Sequence, residues 1–305
     1  MPGSLWEVSS NLSAGLQPFS LSRSPLGCTF LACEARALVF SKLPRYPVRV
    51  KKIFLLLLFS CNLHAATLVL IGGGEHPKAA LSYFIQKLQP GPIYVLPWGT
   101  SYPEESFEDI RSELEKLGAH DIQCFCKEVF TPENYRALAR AGGIYFPGGD
   151  QNKIMQRIFQ SHAKPLLQDL YQKGVPVAGT SAGTAIQTNP MLTGNRAETS
   201  EGLGLLAGLI VDQHFLVRGR EERLLQALEA FPTLNGIGID ESMSAIIEDS
   251  TYVTAIGPSL VTLYIKNHSE IKKIELIDKQ SLRLKVASRR SGGRTTTSTK
   301  STTSY

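Results

Sequence analysis

The chain has 305 residues, of which 43% are hydrophobic and 19% charged, a composition ordinary for a globular protein of one large or two small domains. Its formal charge of +5 is unevenly spread: residues 1–52 carry seven Lys/Arg against two acids and residues 285–305 carry five against none, leaving 20 basic and 25 acidic residues between them. That mildly acidic middle excludes the basic footprint of a nucleic-acid-binding domain.

Lys51-Lys52 precede the apolar run Ile53–Phe59, and small residues follow at Ser60, Ala65 and Ala66. The run is too short to span a bilayer and has the shape of a secretory signal. Residues 1–49 then read as a non-native upstream extension to a start at Val50. Residues 50–66 read as the signal peptide of a secreted or periplasmic protein with no stable membrane insertion after processing. The alternative is a genuine extension carrying a buried apolar helix. Leu58-Phe59-Ser60-Cys61 loosely resembles a lipoprotein cleavage box, which Phe59 fits poorly. Cys28, Cys33 and Cys61 fall outside the mature domain, whereas Cys124 and Cys126 lie two apart on an apparent strand. A bridge between them would be strained there, so the expectation is two buried thiols, with no zinc site.

From residue 67 to about 287, strands alternate with helices as one domain. Thr67–Ile71 is an apolar strand ending at Gly72-Gly73-Gly74, followed by a helix over Pro77–Leu88. Strands at Pro92–Leu96, Asp121–Cys126 and Gly143–Phe146 alternate with helices over Pro103–Leu117 and Pro132–Arg140, the latter capped by Thr131. Helices at Asn152–Phe159 and Lys164–Gln172 lead to the strand Val175–Gly179. This rhythm predicts an α/β fold with a mostly parallel central sheet flanked by helices, its functional loops gathered at the carboxyl ends of the strands. Beyond Leu209–Asp212 and the helix Glu221–Phe231, short strands near Gly236–Ile239, Ser244–Ile247, Thr251–Ile256, Leu260–Ile265 and Ile271–Ile277 read as an antiparallel extension of the same sheet. The Ser/Thr/Arg/Gly-rich tail from Ser288 to Tyr305 lacks apolar residues and reads as disordered.

Gly179-Thr180-Ser181-Ala182-Gly183 joins a buried β-branched strand to a helix start, the setting of a nucleophile elbow. Flanking glycines allow the tight backbone, and the Ala182 N–H can face a developing oxyanion together with an N–H of Gly148-Gly149. A serine nucleophile needs a base, and the base an orienting acid. Among the histidines, His120, His162 and His268 fall in loops and turns, and His76 sits in the glycine loop where it could touch substrate. His214 follows the strand Leu209–Asp212 and is the candidate base. Between Ser181 and His214 the available acids are Glu198, Glu201 and Asp212, of which Glu198 sits in a polar loop free to reach back to the imidazole. Gly72–Gly74 lacks the frame, lysine and acid partner of a nucleotide site, so neither cofactor nor metal is called for. Arg218, Arg220 and Arg223, just past the candidate base, have the chemistry to hold carboxylates.

Taken together these stretches, with Pro147-Gly148-Gly149-Asp150-Gln151, Asp212-Gln213-His214-Phe215 and Gly236–Glu241, resemble the cyanophycinase branch of the peptidase S51 family over about residues 67–265. The resemblance implies a fold like the class I glutamine amidotransferases and a serine–histidine–acid triad, with Ser181 as nucleophile, His214 as base and Glu198 as acid. It further implies hydrolysis of cyanophycin, a poly-aspartate carrying arginine on its β-carboxylates, to β-Asp-Arg dipeptides. Gln151, Asp212, Gln213, Arg218, Arg220 and Arg223 would line the substrate pocket, with Asp212 or another acid receiving a substrate guanidinium. Thr184 departs from the small apolar residue common in the family, and the segment from Met191 to Gly202 looks shortened, which leaves Glu201 as a rival to Glu198. An aspartyl dipeptidase and a catalytically silent binding protein are the alternatives. A homodimer is compatible with each reading and required by none.

Overall fold

The computed structural model describes residues 66–284 apart from 128, 268 and 269. The upstream extension, the signal-like segment through residue 65 with Cys28, Cys33 and Cys61, His268 and the tail from Ser288 lie outside the described residues.

The first half alternates as the sequence predicts: β1 (Thr67–Ile71), α1 (Lys78–Lys87), β2 (Ile93–Val95), α2 (Pro103–Lys116), β3 (Ile122–Cys124), α3 (Pro132–Leu138) and β4 (Gly143–Phe146). Next come α4 (Gln151–Gln160), α5 (Lys164–Gln172), β5 (Val177–Thr180) and the four-residue helix α6 (Ala182–Ala185). Proline in the first turn of α2, α3 and α5 falls where helix geometry requires no N–H, and Thr131 and Asn134 close a capping box on α3.

The central strands are apolar on both faces because both are covered. Along β1, Leu68 and Leu70 enter one core layer while Val69 and Ile71 enter the other. In β4, Ile144 and Phe146 part from Tyr145 in the same way. Helices α1 and α2 cover one face through Leu81, Phe84, Ile110 and Leu114, and α4 and α5 cover the other through Ile154, Ile158, Leu167 and Leu170. A strand with this period-two split between two buried layers belongs inside a parallel sheet.

The second half consists of the hairpin β6 (Met191–Thr193) and β7 (Glu198–Ser200), then β8 (Leu209–Gln213), α7 (Glu221–Ala230), β9 (Asn235–Ile239), β10 (Ser244–Glu248), β11 (Tyr252–Ile256), β12 (Val261–Asn267), β13 (Glu270–Leu276) and β14 (Ser281–Arg283). The eight-stranded sheet runs β14-β11-β10-β1-β5-β4-β2-β3, parallel from β1 to β3 and antiparallel on the other flank. The antiparallel extension is therefore present, but it takes only part of the C-terminal half. Strands β13-β12-β9-β8 form a second sheet, in which β8 and β9 are parallel. The reason is steric: Gly238 of β9 lies so close to the Phe215 ring that a Cβ would overlap it, and Gly236 packs against Leu224 and Leu228 of α7. Phe215, Leu224, Leu228, Ile210 and Tyr264 thus form a core of their own.

One expectation about cysteine is overturned. Cys124 and Cys126 are joined by a disulfide, with Cα atoms 5.2 Å apart. Strand β3 ends at Cys124, so the pair does not sit on a regular strand, and the spacing falls in the ordinary range for a bridge.

At the elbow, a Cβ added to Gly183 would overlap the Phe146 carbonyl at the end of β4. Gly183→Ala should therefore lower stability by about 1–3 kcal/mol through overpacking, read as a fall in the urea midpoint. An unchanged midpoint would show that α6 can lift from the sheet without cost.

Candidate active site

The site is assembled from strand ends. Ser181 occupies the turn between β5 and α6 with φ 51° and ψ −111°, a region that non-glycine residues rarely adopt. Three features hold it there. Its N–H donates to the Ile71 carbonyl at 2.9 Å, and its own carbonyl accepts from Thr184 and Ala185 of α6 at 3.0 Å each. The elbow is also closed on itself, since a Cβ on Gly179 would overlap the Gly183 carbonyl. Thr184, the residue out of keeping with the resemblance, is fully buried, with its Oγ1 2.7 Å from the carbonyls of both Ile71 and Gly179. It ties the elbow helix to β1 and β5.

His214 follows β8 directly and also has a positive φ, 50°. Its N–H donates to the Gly72 carbonyl at 2.9 Å, which brings the end of β8 against the end of β1. The imidazole lies on Gly73, where a side chain would collide with the ring. Its Nε2 is 2.7 Å from Ser181 Oγ. The two residues singled out from the sequence as nucleophile and base therefore meet.

The acid is a correction. His214 Nδ1 lies 2.6 Å from Oε1 of Glu241, in the turn between β9 and β10. Glu198 is exposed on β7, and Glu201 pairs with Lys164 at 2.5 Å. Strands β8 and β9 run parallel side by side, so the residues just past their ends, His214 and Glu241, emerge as neighbours. The mistake came from seeking the acid between nucleophile and base in the chain. The available signal was Asp240-Glu241 at the end of the glycine-alternating strand. Asp240 serves a separate purpose. Its Oδ1 accepts the N–H groups of Leu216 and Val217 at 3.0 and 3.1 Å, fixing the chain just after His214.

The hydrogen-bond roles follow from chemistry. An ionised carboxylate only accepts, so Nδ1 carries the proton and Nε2 is left to accept from the serine hydroxyl. Burial holds the His214 pKa below the ordinary histidine value; the hydrogen bond to Glu241 pulls it upward, and the charges of Arg218 and Arg220 press it down again. The net shift is downward and favours the neutral imidazole, the form a base requires.

Beside the serine lies the Gly148–Gly149 peptide: a Cβ placed on Gly148 would sit 3.5 Å from Ser181 Cβ. Gly149, at φ 125°, is packed against the backbone of Gly99. The Ala182 N–H is the first of α6 and has no intrahelical partner by helix geometry.

The residues expected to line a substrate pocket divide sharply. Asp212 is fully buried, and both its oxygens are taken by Arg223, whose Nε donates at 2.8 Å and whose Nη2 completes the fork. Arg223 also donates to the Gly194 carbonyl, which ties the β6–β7 hairpin to β8. Arg220 donates to the Gln213 carbonyl at 2.7 Å and to the Gln213 side chain, and lies 3.4 Å from Asp212. Burial pushes the Asp212 carboxyl up from its usual range, and the Arg223 guanidinium opposes that push. Asp212 is thus closed to a substrate guanidinium, and Gln213, Arg220 and Arg223 are engaged with one another and with Asp212. Only Arg218 of the arginine block is exposed. Gln151, at the start of α4, donates through Nε2 to the Leu192 carbonyl at 3.1 Å and so supports β6.

Comparison with known proteins agrees with this arrangement of strands. The family model of peptidase family S51 matches residues 68–255. A cyanophycinase from Geminocystis herdmanii (strain PCC 6308) is 28% identical over 249 residues, covering 72% of this chain and 90% of that protein. The cyanophycinase of Trichormus variabilis (strain ATCC 29413 / PCC 7937) is 29% identical over 214 residues, covering 64% of this chain and 72% of its own length. A probable alpha-aspartyl dipeptidase of Drosophila melanogaster is 24% identical over 208 residues, covering 64% of this chain and 82% of that one. Among solved structures, a peptidase from an acI-B1 Actinobacterium shares the fold, with a TM-score of 0.55 and 19% identity over 73% of this chain and 98% of that one.

The charge balance on His214 can be read directly by NMR titration of its ring protons. Its midpoint should fall below about 6.5. Glu241→Gln removes the group that favours the imidazolium and should lower the midpoint further, whereas Arg218→Gln removes a repelling charge and should raise it. A midpoint at or above the ordinary value, or shifts of the opposite sign, would contradict the assigned contacts.

Proposed function

Since the chain belongs to peptidase family S51, we propose that it is a serine-type hydrolase of aspartyl peptides, with cyanophycin as its polymeric substrate and β-Asp-Arg as product. The observation that carries this reading is the 2.7 Å approach of Ser181 Oγ to His214 Nε2, with Glu241 behind the ring. Ser181 Oγ attacks the scissile carbonyl carbon as its proton passes to Nε2, and Glu241 steadies the imidazolium so formed. The carbonyl oxygen gains its negative charge next to the Ala182 N–H and the Gly148–Gly149 peptide, donors fixed before the reaction begins. His214 then returns the proton to the leaving amine, and the acyl-serine remains. Water, deprotonated by the same imidazole, releases the acid and restores the hydroxyl.

Export of the enzyme is part of the proposal and rests on the basic and apolar run Lys51–Phe59. Among the described residues no helix is long and apolar enough to cross a membrane. The second reading is an aspartyl dipeptidase. It is favoured by the burial of Arg220 and Arg223, which leaves Arg218 as the one arginine of the block open to substrate carboxylates.

The purified chain should clear insoluble cyanophycin and release β-Asp-Arg. Cleavage of α-Asp-X dipeptides alone would select the second reading, and cleavage of neither would remove both. Ser181→Ala should reduce turnover by at least about 10³-fold while the thermal transition is retained. Undiminished turnover in that folded variant would take Ser181 out of the mechanism.

A further inference from the structure

The Cys124–Cys126 bridge joins residues only two apart in the chain. A disulfide acts on global stability by restricting the unfolded chain, and least so where the loop it closes is shortest. What this bridge fixes is local. Two residues along a regular strand separate Cα atoms by about 6.6 Å. Here they are 5.2 Å apart, so the chain bends at Phe125, just past the end of β3. The Phe125 ring is buried, stacked on Tyr94 with centroids 4.5 Å apart and edge-on to Phe130. Its carbonyl accepts from the indole Nε1–H of Trp98 at 2.8 Å, a bond closed to solvent. Phe130 and the Arg157 guanidinium of α4 hold the same indole, the cation 5.1 Å from the ring centre.

Trp98 leads into Gly99, and Gly99 backs the Gly148–Gly149 peptide beside Ser181. The Asp150 N–H donates to the Gly99 carbonyl at 2.9 Å, and a Cβ on Gly149 would overlap that same carbonyl. A Cβ on Gly99 would in turn stand 3.1 Å from the Gly148 oxygen. Packing this close transmits a displacement of the β2 end to the peptide. The path from sulfur to candidate oxyanion donor therefore runs through Phe125, Trp98 and Gly99 to Gly149. Each step is a covalent bond, a hydrogen bond or a direct contact. A path of this kind needs an element with two discrete states, and the bridge, closed or open, is one. Both cysteines are half-buried, within reach of a small thiol.

We propose that the Cys124–Cys126 disulfide is a redox-sensitive positioning element for the Gly148–Gly149 peptide. Closed, it holds the Phe125 bend, and through Trp98 and Gly99 the peptide stays aimed at the reacting oxygen. A dithiol opens it: one thiolate attacks a bridge sulfur to give a mixed disulfide, and the second displaces it. Cys124 and Cys126 leave as thiols with two electrons and two protons gained, and the dithiol leaves as a disulfide. The freed chain can then straighten past β3, which turns the Phe125 carbonyl from the indole and loosens Gly99 behind the peptide. The inference rests on the hydrolase reading, in which that peptide meets the developing oxyanion. In the oxidising surroundings that export would give the chain, the bridge is closed and turnover runs at its full rate.

The test compares the oxidised chain, the chain reduced by dithiothreitol, and the double variant Cys124→Ser/Cys126→Ser. On the cyanophycin or α-Asp-X substrate that the oxidised chain turns over, reduction should lower kcat at least about fivefold and move KM less than about twofold. A loss confined to kcat is the mark of a contact made in the transition state, which a general loosening of the fold would not give. Reoxidation should restore the rate. The double variant should run at the reduced rate with or without dithiothreitol, which separates this bridge from the other cysteines. In NMR spectra the Trp98 Nε1–H and Gly149 amide resonances should move together on reduction, to the positions they hold in the double variant. A kcat indifferent to reduction, a loss that the double variant also suffers on adding dithiothreitol, or a Trp98 shift without a Gly149 shift would overturn the proposal. If no state of the chain turned over either substrate, the hydrolase reading would fall, and the paired resonances would still decide whether the bridge moves the peptide.

Discussion

Three consecutive carbonyls at the end of β1 hold the site together. Ile71 accepts from the N–H of Ser181 at 2.9 Å, Gly72 from that of His214 at 2.9 Å, and Gly73 from that of Ser242 at 2.7 Å, one residue beyond Glu241. Ser181, His214 and Glu241 are each anchored, directly or through a neighbour, on one short piece of backbone. Their mutual distances are therefore fixed by main-chain geometry, not by side-chain rotamers alone. The absence of side chains at Gly72 and Gly73 is what allows this: a Cβ at the first would strike the Asp240 carbonyl and at the second the His214 ring. A glycine run that is uninformative as a motif turns out to be the common foundation on which Ser181, His214 and Glu241 meet.

The same principle explains the buried charges. Asp212, Gln213, Arg220 and Arg223 lock β8, α7 and the β6–β7 hairpin around the base-bearing strand. Placing a carboxylate at zero exposure is tolerable because Arg223 forks onto it and Arg220 stands nearby, and removal of Arg223 would leave Asp212 as a poorly compensated buried charge. The motif that looks from the sequence like a row of ligands is, in large part, the brace behind the histidine.

Much of this was legible beforehand, and the reason is locality. The parallel strands announce themselves as apolar β-branched runs, and the elbow is a pentapeptide whose meaning lies in the strand before it and the helix after it. Ser181 and His214 each end a recognisable strand, so both could be placed at the carboxyl edge of a sheet. Glu241 could not be assigned as partner, because its nearness to His214 depends on β8 and β9 lying side by side in a second sheet. That pairing is set by Gly236 and Gly238 against Leu224 and Phe215, contacts that span a dozen residues or more and leave no periodic trace. The reach of Asp212 toward Arg223 instead of outward, and the Cys124–Cys126 bridge, are non-periodic in the same sense.

The turn carrying Glu241 passes from β9 in one sheet to β10 in the other, while Ser181 ends a strand of the larger sheet and His214 one of the smaller. The Ser181–His214–Glu241 contacts are thus a suture across two β-layers. A slip of one layer past the other by a fraction of an ångström would part the serine from the imidazole with every strand still intact. Under denaturant or pressure, activity that depends on this contact should be lost before the secondary structure.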